Sequence, residues 1–260
     1  MIKTLQADVA KATIEVDHGG RLSSLCVGDL ELLVTSGAET IAYGCYPMAP
    51  WAGRIREGRF CWAGLEHQLP INLPPHAIHG TVFERPWRRQ GEQLHVDLGA
   101  SWPWPGRVRS VVQLLPDGLS WSLEVHAERD PMPVVLGWHP WFRRQLVRGG
   151  PLELTFNAAG LMRRDAAGIT TTEVIDVPEG PWDDCFVGVQ CPVKLRWPGA
   201  LTLTIDSDCS HWVVYSEPDH AVCVEPQSGP PDAVNLGLAA EVVPGRPFIR
   251  TMTLRWVLED

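Results

Sequence analysis

The chain has 260 residues and a formal net charge of −9, with 22 Lys+Arg against 31 Asp+Glu. Its 45% apolar content is enough to build a core, which excludes intrinsic disorder. The acidic balance argues against a nucleic-acid partner, which would call for a basic face. Met1 to Gly20 lacks the apolar run of a signal peptide, and no segment is apolar for long enough to span a bilayer. Seven scattered cysteines, without a paired Cys-x-x-Cys, read as reduced thiols of a cytoplasmic protein, most of them small buried hydrophobes.

In chain order, short runs punctuated by Gly and Pro predict strands at 13–16, 22–27, 30–34, 94–98 and 108–115. From Leu119 to Ala127 the alternation is clean: Leu119, Trp121, Leu123 and Val125 share one face, and Ser120, Ser122, Glu124 and His126 the other. Residues 201–205 repeat that pattern, and 212–215 and 222–225 are further strands. Near the C-terminus Phe248, Met252, Leu254, Trp256 and Leu258 fall on one face, with Arg250 the exception. Period-two alternation of this kind is the mark of half-buried antiparallel strands. Many short strands, with no long helical pattern, no repeat and no low-complexity linker, predict one all-β domain over 1–260, a sandwich or barrel.

Three loop-like segments carry titratable residues among Pro, Gly and Trp: 70–80, 136–142 and 222–235. His79 and His139 read either as histidines bonded to a turn or as functional groups. Glu225 follows the apolar Val222-Cys223-Val224 and precedes Pro226, which puts a carboxylate at the end of a core strand. A buried carboxylate of this kind is either paired for structural reasons or catalytic. His76 and His79 are too close for the helical His-x-x-x-His zinc pattern, and the His-x-His arrangement of a cupin is absent, so no metal site is expected.

Taken together and in order, six motifs resemble the aldose 1-epimerase (galactose mutarotase-like) family. They are Pro47-Met-Ala-Pro-Trp-Ala-Gly-Arg-Ile-Arg-Glu-Gly-Arg-Phe60, Pro75-His-Ala-Ile-His-Gly80, Trp102-Pro-Trp-Pro105, Gly137-Trp-His-Pro-Trp-Phe142, Trp182-Asp-Asp-Cys-Phe186, and Glu225-Pro226 with Pro231-Asp-Ala-Val-Asn235. The resemblance implies a large antiparallel β-sandwich, the galactose mutarotase-like supersandwich, with a sugar-binding cleft. It implies Glu225 as general base, His139 as general acid and His79 as their assistant. Arg54 and Asp183 would hold sugar hydroxyls. Asp183 is preferred to Asp184 because it stands three before Phe186. Trp138 stands where many members carry Asn, and Thr81 where the galactose-specific branch often has a second Gly.

Mutarotation removes a proton from the C1 hydroxyl and delivers one to the ring oxygen, which a Glu and a His with tuned pKa values can do together. A nearby carboxylate is expected to favour protonated His139. No cofactor is required, and no phosphate loop or dinucleotide fingerprint is present. Trp51, Trp138 and Trp141 lie beside the motif residues and are candidates for packing on a sugar face, Trp138 as a direct substrate contact; Trp121 and Trp256 read as core. Local arginines (Arg54, Arg56 and Arg59; Arg85, Arg88 and Arg89; Arg143 and Arg144) leave room for an anionic substrate such as a hexose 6-phosphate or a sulfosugar. A carbohydrate-binding protein without catalysis is the further alternative.

Overall fold

The computed structural model describes residues 1–259. Two antiparallel sheets carry most of the chain. The larger has eleven strands, ten of them in the order Ile2–Ala7, Ala10–Glu15, Arg21–Val27, Cys45–Met48, Gly137–Arg143, Ala221–Gln227, His211–Tyr215, Asp183–Val187, Gly160–Arg164, Thr170–Ile175, with Leu30–Glu31 added on the third. The smaller has eight, in the order Arg88–Gln90, Gln93–Asp97, Gly106–Leu115, Gly118–Ala127, Phe248–Leu258, Leu201–Ser207, Val193–Trp197, Glu153–Thr155. The predicted all-β fold, a large antiparallel sandwich, is the one observed. Among the described residues the one α-helix is the four-residue Ala233–Leu236, and no helix is long and apolar enough to cross a membrane.

Alternation explains the core. Leu119, Trp121, Leu123 and Val125 are fully buried, as are Leu201, Leu203 and Ile205, which join Trp197, Trp212 and Met252 in one apolar cluster. The predicted strands are present, the 30–34 strand shortened to Leu30–Glu31. Trp51 is also core, stacked on Trp102 at 5.5 Å.

The loop reading of 136–142 is corrected. Gly137–Arg143 is a central strand, buried from Gly137 to Phe142. The first part of the third segment likewise continues as strand to Gln227, through Pro226. Proline cannot donate to a ladder, so Pro140 and Pro226 argue against central strands on local grounds. Tertiary pairing overrides them. The 137–143 strand still pairs with Cys45–Met48 on one side and with Ala221–Gln227 on the other, at Gly137↔Gln227 and Trp141↔Cys223.

Candidate functional site

A cavity of about 330 Å³ opens on the face of the larger sheet turned away from the sandwich core. Its floor follows from strand register. Midway between the pairs Gly137↔Gln227 and Trp141↔Cys223, His139 comes opposite Glu225, and Nε2 lies 3.2 Å from Oε1. Tyr46 pairs with His139 on one flank, and Val213 pairs with Glu225 on the other. The Trp141–Cys223 pair continues through Tyr215 to Asp183. Side chains two apart share a face, so Asp183, Tyr215, Glu225, Gln227, His139, Trp141 and Tyr46 all line the cavity.

The wall holding Arg54 and His79 is built differently. Arg54–Ile55 pairs with Ala77–Ile78, setting Arg54 opposite Ile78 and next to His79. His79 donates its backbone N–H to the Gly53 carbonyl at 3.0 Å. The chain then turns with φ +60° at His79 and +82° at Gly80, where a parallel bridge to Ala49 locks it. The His79 ring stands edge-on to the His139 ring, 5.0 Å between centroids at 87°. His139 itself lies in a stack, 4.9 Å from Tyr46 and 5.4 Å from Trp141.

At the far end Asp183 receives two guanidinium groups. Arg54 donates to its Oδ2 at 3.3 Å and Arg164 at 3.1 Å, and Arg164 also holds Asp184 Oδ1 at 2.8 Å. Gln227 donates from Nε2 to Glu225 Oε2 at 3.1 Å. Gln227 Oε1 and His79 Nδ1 are buried without a hydrogen-bond partner in the protein. Such atoms are costly unless a ligand satisfies them.

Burial dominates the electrostatics. It raises the Glu225 carboxyl well above its ordinary value, with the Asp183 charge adding to the effect. Burial pulls His139 down to about 3, with the Arg21 charge behind Tyr46 as the next cause, and pulls His79 down strongly as well. The expectation that a neighbouring carboxylate leaves His139 charged is therefore corrected: desolvation outweighs it. Depressed histidines bind protons in the unfolded chain before they do in the native one. For His139 the stabilising contribution is complete above about pH 6.5 and is lost as pH falls towards 3. A series of melting curves between those values will show His139→Gln losing less stability to acid than the wild-type chain.

Of the six residues singled out from sequence, five meet at the cavity: Arg54, His79, His139, Asp183 and Glu225. Trp138 does not. It is fully buried in the inter-sheet core, because neighbours on a strand point to opposite faces, and Trp141 takes the place expected of it. Tyr46, Arg164, Tyr215 and Gln227 were not anticipated. Tyr215 was within reach, two residues from Val213 on a predicted strand, whereas Gln227 lies past Pro226, beyond the predicted 222–225 strand. Arg164 carries no local signal. The other arginines lie elsewhere: Arg85 and Arg88 bond Asp97, Arg143 the Leu33 carbonyl, and Arg144 the carbonyls of Pro218 and Ser216.

His139 and Glu225 of the cavity floor, with Cys223 outside its lining, have donor atoms within 4.8 Å of one another and are the one set of described residues placed to hold a metal ion. A family model described as aldose 1-epimerase matches residues 3–245. An uncharacterized protein of Escherichia coli K12, YphB, is 32% identical over 114 residues, a match spanning 41% of this chain and 39% of that one. Among solved structures, a putative aldose 1-epimerase of Escherichia coli K12 superposes with a TM-score of 0.84 at 20% identity, covering 99% of both chains. A galactose mutarotase-like protein of Clostridium acetobutylicum gives 0.86 at 16% identity, covering 98% of this chain and 94% of its own. Galactose 1-epimerase of Lactobacillus acidophilus gives 0.80 at 17%, covering 99% and 94%.

Proposed function

The chain belongs to the aldose 1-epimerase family, and from that premise we propose that it is a mutarotase, interconverting the α and β anomers of a neutral aldose. The observation that carries the reading is the facing pair of buried acid and base, His139 Nε2 and Glu225 Oε1, on the floor of a sugar-sized cavity.

The pair shares one proton, and its position defines the cycle. In the reactive form, the minor one because burial favours the neutral pair, the proton is on the imidazole, Glu225 is a carboxylate and His139 an acid. Glu225 takes the C1 hydroxyl proton while His139 delivers its own to the ring oxygen, and the C1–O5 bond opens. The pair is now a carboxylic acid beside a neutral imidazole, the form that burial favours. After rotation about C1–C2, the aldehyde presents its other face and both proton transfers reverse. No proton is gained from or lost to solvent over a turnover. His79, edge-on to His139, supports the open form by hydrogen-bonding an oxygen of the sugar. Each acid or base group is expected to supply about 10²–10⁴-fold.

Recognition follows from the remaining lining. Arg54, Arg164 and Asp183 form a charged cluster suited to vicinal hydroxyls. Gln227 Oε1 accepts a further hydroxyl, and Trp141 offers a ring to the C–H face. The lining supports a neutral sugar over a phosphorylated or sulfonated one. Glu39, Asp183, Asp184 and Glu217 join Glu225 there, against two guanidinium groups that already hold carboxylates. The reading takes residues 1–260 as one catalytic domain that works in the cytoplasm without a cofactor.

Two measurements test it. Followed by NMR, freshly dissolved α-glucose or α-galactose is expected to equilibrate faster with the protein than without it, and a hexose 6-phosphate no faster. Acceleration of the phosphate alone would overturn the neutral-sugar assignment, and no acceleration of any aldose would favour a binding protein. Asp183→Asn is expected to raise KM by about 10–100-fold, the worth of a charge-assisted hydrogen bond, with a smaller change in kcat.

A further inference from the structure

Sequence spacing gives no metal motif, yet the register of two neighbouring strands brings three donors of metal-binding type together. His139 stands on Gly137–Arg143, and Cys223 and Glu225 stand two apart on Ala221–Gln227, so all three rise from the same face of the sheet. Their donor atoms, an imidazole nitrogen, a thiol sulfur and a carboxylate oxygen, lie within 4.8 Å of one another, and all three residues are buried. Cys223 does not line the cavity; it lies one pleat along from Glu225, between Trp141 and Tyr215 in the register.

We propose that His139, Cys223 and Glu225 form an inhibitory site for a zinc-class divalent cation. The donor set decides the class. Magnesium and calcium ask for oxygen ligands, whereas one sulfur, one nitrogen and one oxygen suit zinc and its neighbours. A tetrahedral zinc with bonds of about 2.0–2.3 Å keeps its ligands about 3.3–3.8 Å apart. The His139–Glu225 separation of 3.2 Å is already close to that, and only the sulfur has to approach. Three protein ligands leave one coordination position, and it faces the cavity, where His139 and Glu225 are exposed to a ligand. Binding converts the thiol to a thiolate, and its proton, with any proton held by Glu225, passes to solvent.

The inhibitory consequence rests on the mutarotase reading, because the cation occupies the nitrogen and oxygen that would move protons. The binding itself does not rest on it. Cysteine contributes a ligand to the metal and no group to the reaction, so the two can be separated by substitution at Cys223.

The test uses the chelator-treated full-length protein with zinc chloride and, in parallel, cobalt chloride as a spectroscopic probe. Zinc is expected to inhibit anomer exchange in competition with the sugar, reversibly on adding EDTA. Cobalt is expected to give a near-ultraviolet thiolate charge-transfer band and tetrahedral visible bands. In Cys223→Ala and Cys223→Ser, catalysis without metal should persist, the charge-transfer band should vanish, and the zinc inhibition constant should rise by about 100-fold or more, since even outer partners of ligands are worth about 10–100-fold. Absence of the cobalt–thiolate band in the wild-type protein overturns the site whatever the variants do. Equal zinc inhibition of wild type and variants also overturns it, by removing Cys223 from the ligand set. A cobalt–thiolate band in a protein that accelerates no sugar would keep the metal site and remove the mutarotase reading.

Discussion

Glu225→Gln is expected to lower the rate of anomer exchange by about 10²–10⁴-fold while sugar affinity stays near that of the wild-type chain. The amide is close in size to the carboxyl and can still accept the hydrogen bond from Gln227 Nε2, so the floor of the cavity keeps its shape. What it cannot do is take a proton from the C1 hydroxyl. Saturation-transfer or titration measurements of binding, beside NMR anomer exchange, separate these effects. Equal loss of binding and turnover would show that Glu225 serves recognition, not proton transfer.

The same variant is expected to be more stable than the parent. Burial raises the Glu225 carboxyl well above 4.5, so the native chain holds a proton that the unfolded chain has released. Stability from this group is full below about pH 4.5 and declines as pH rises towards the native value. Glutamine does not titrate. The melting temperature of Glu225→Gln should therefore exceed that of the parent by a margin that opens as pH rises above 4.5. A constant margin at all pH values would mean that the carboxyl is not held protonated.

Gly80→Ala is expected to destabilise the chain on the order of 3–5 kcal/mol, the range of severe single substitutions. A Cβ at this position would stand 2.0 Å from the Ala49 carbonyl oxygen and 2.4 Å from its carbon, both backbone atoms. The residue also has φ +82°, which an L side chain adopts only under strain. Neither the Ala49 carbonyl nor the 80–81 segment can retreat easily, since Thr81 donates its N–H to that same carbonyl at 2.8 Å. Any folded Gly80→Ala protein should also lose activity, because His79 is carried on the same turn. Gly28→Ala is the control. Its φ is +61° with open space around the new Cβ, so backbone strain alone should cost about 1 kcal/mol. Urea unfolding of the two variants measures the difference, and similar midpoints would refute the steric argument.

Much of the fold was legible because alternation is a local property. Leu119 to Val125 and Leu201 to Ile205 announce their buried faces without reference to any partner. The candidate site was legible in part for a different reason: Arg54, His79, His139, Asp183 and Glu225, which line one cavity, sit in motifs whose order along the chain is itself informative. Three failures have physical causes. Pro140 disguises one central strand as a loop and Pro226 hides the end of another, since a missing N–H looks like a break until the pairing partners are known. Trp138 and Trp141 are both candidates from sequence, and only the pleat separates them; once 137–143 is a strand, the residue that shares a face with His139 is Trp141. Arg164 comes from Gly160–Arg164, a strand that no alternation announces, and reaches Asp183 only through sheet order. The cluster of His139 with Cys223 and Glu225 is hidden for the same reason, as a ligand set divided between strands has no spacing.

The strand Phe248–Leu258 follows every other strand of the smaller sheet in the sequence, yet it lies in the middle of that sheet, between Gly118–Ala127 and Leu201–Ser207. On the ribosome its two neighbours are made first and wait with unpaired edges. An unpaired edge is a template for any other extended chain. The smaller sheet can thus close only after these residues leave the exit tunnel, and the nascent protein depends until then on whatever shields exposed strands in the cell. A stop codon or frameshift shortly before residue 248 would do more than shorten the product. It would release two half-sheets with complementary open edges, a species built to associate with its own kind.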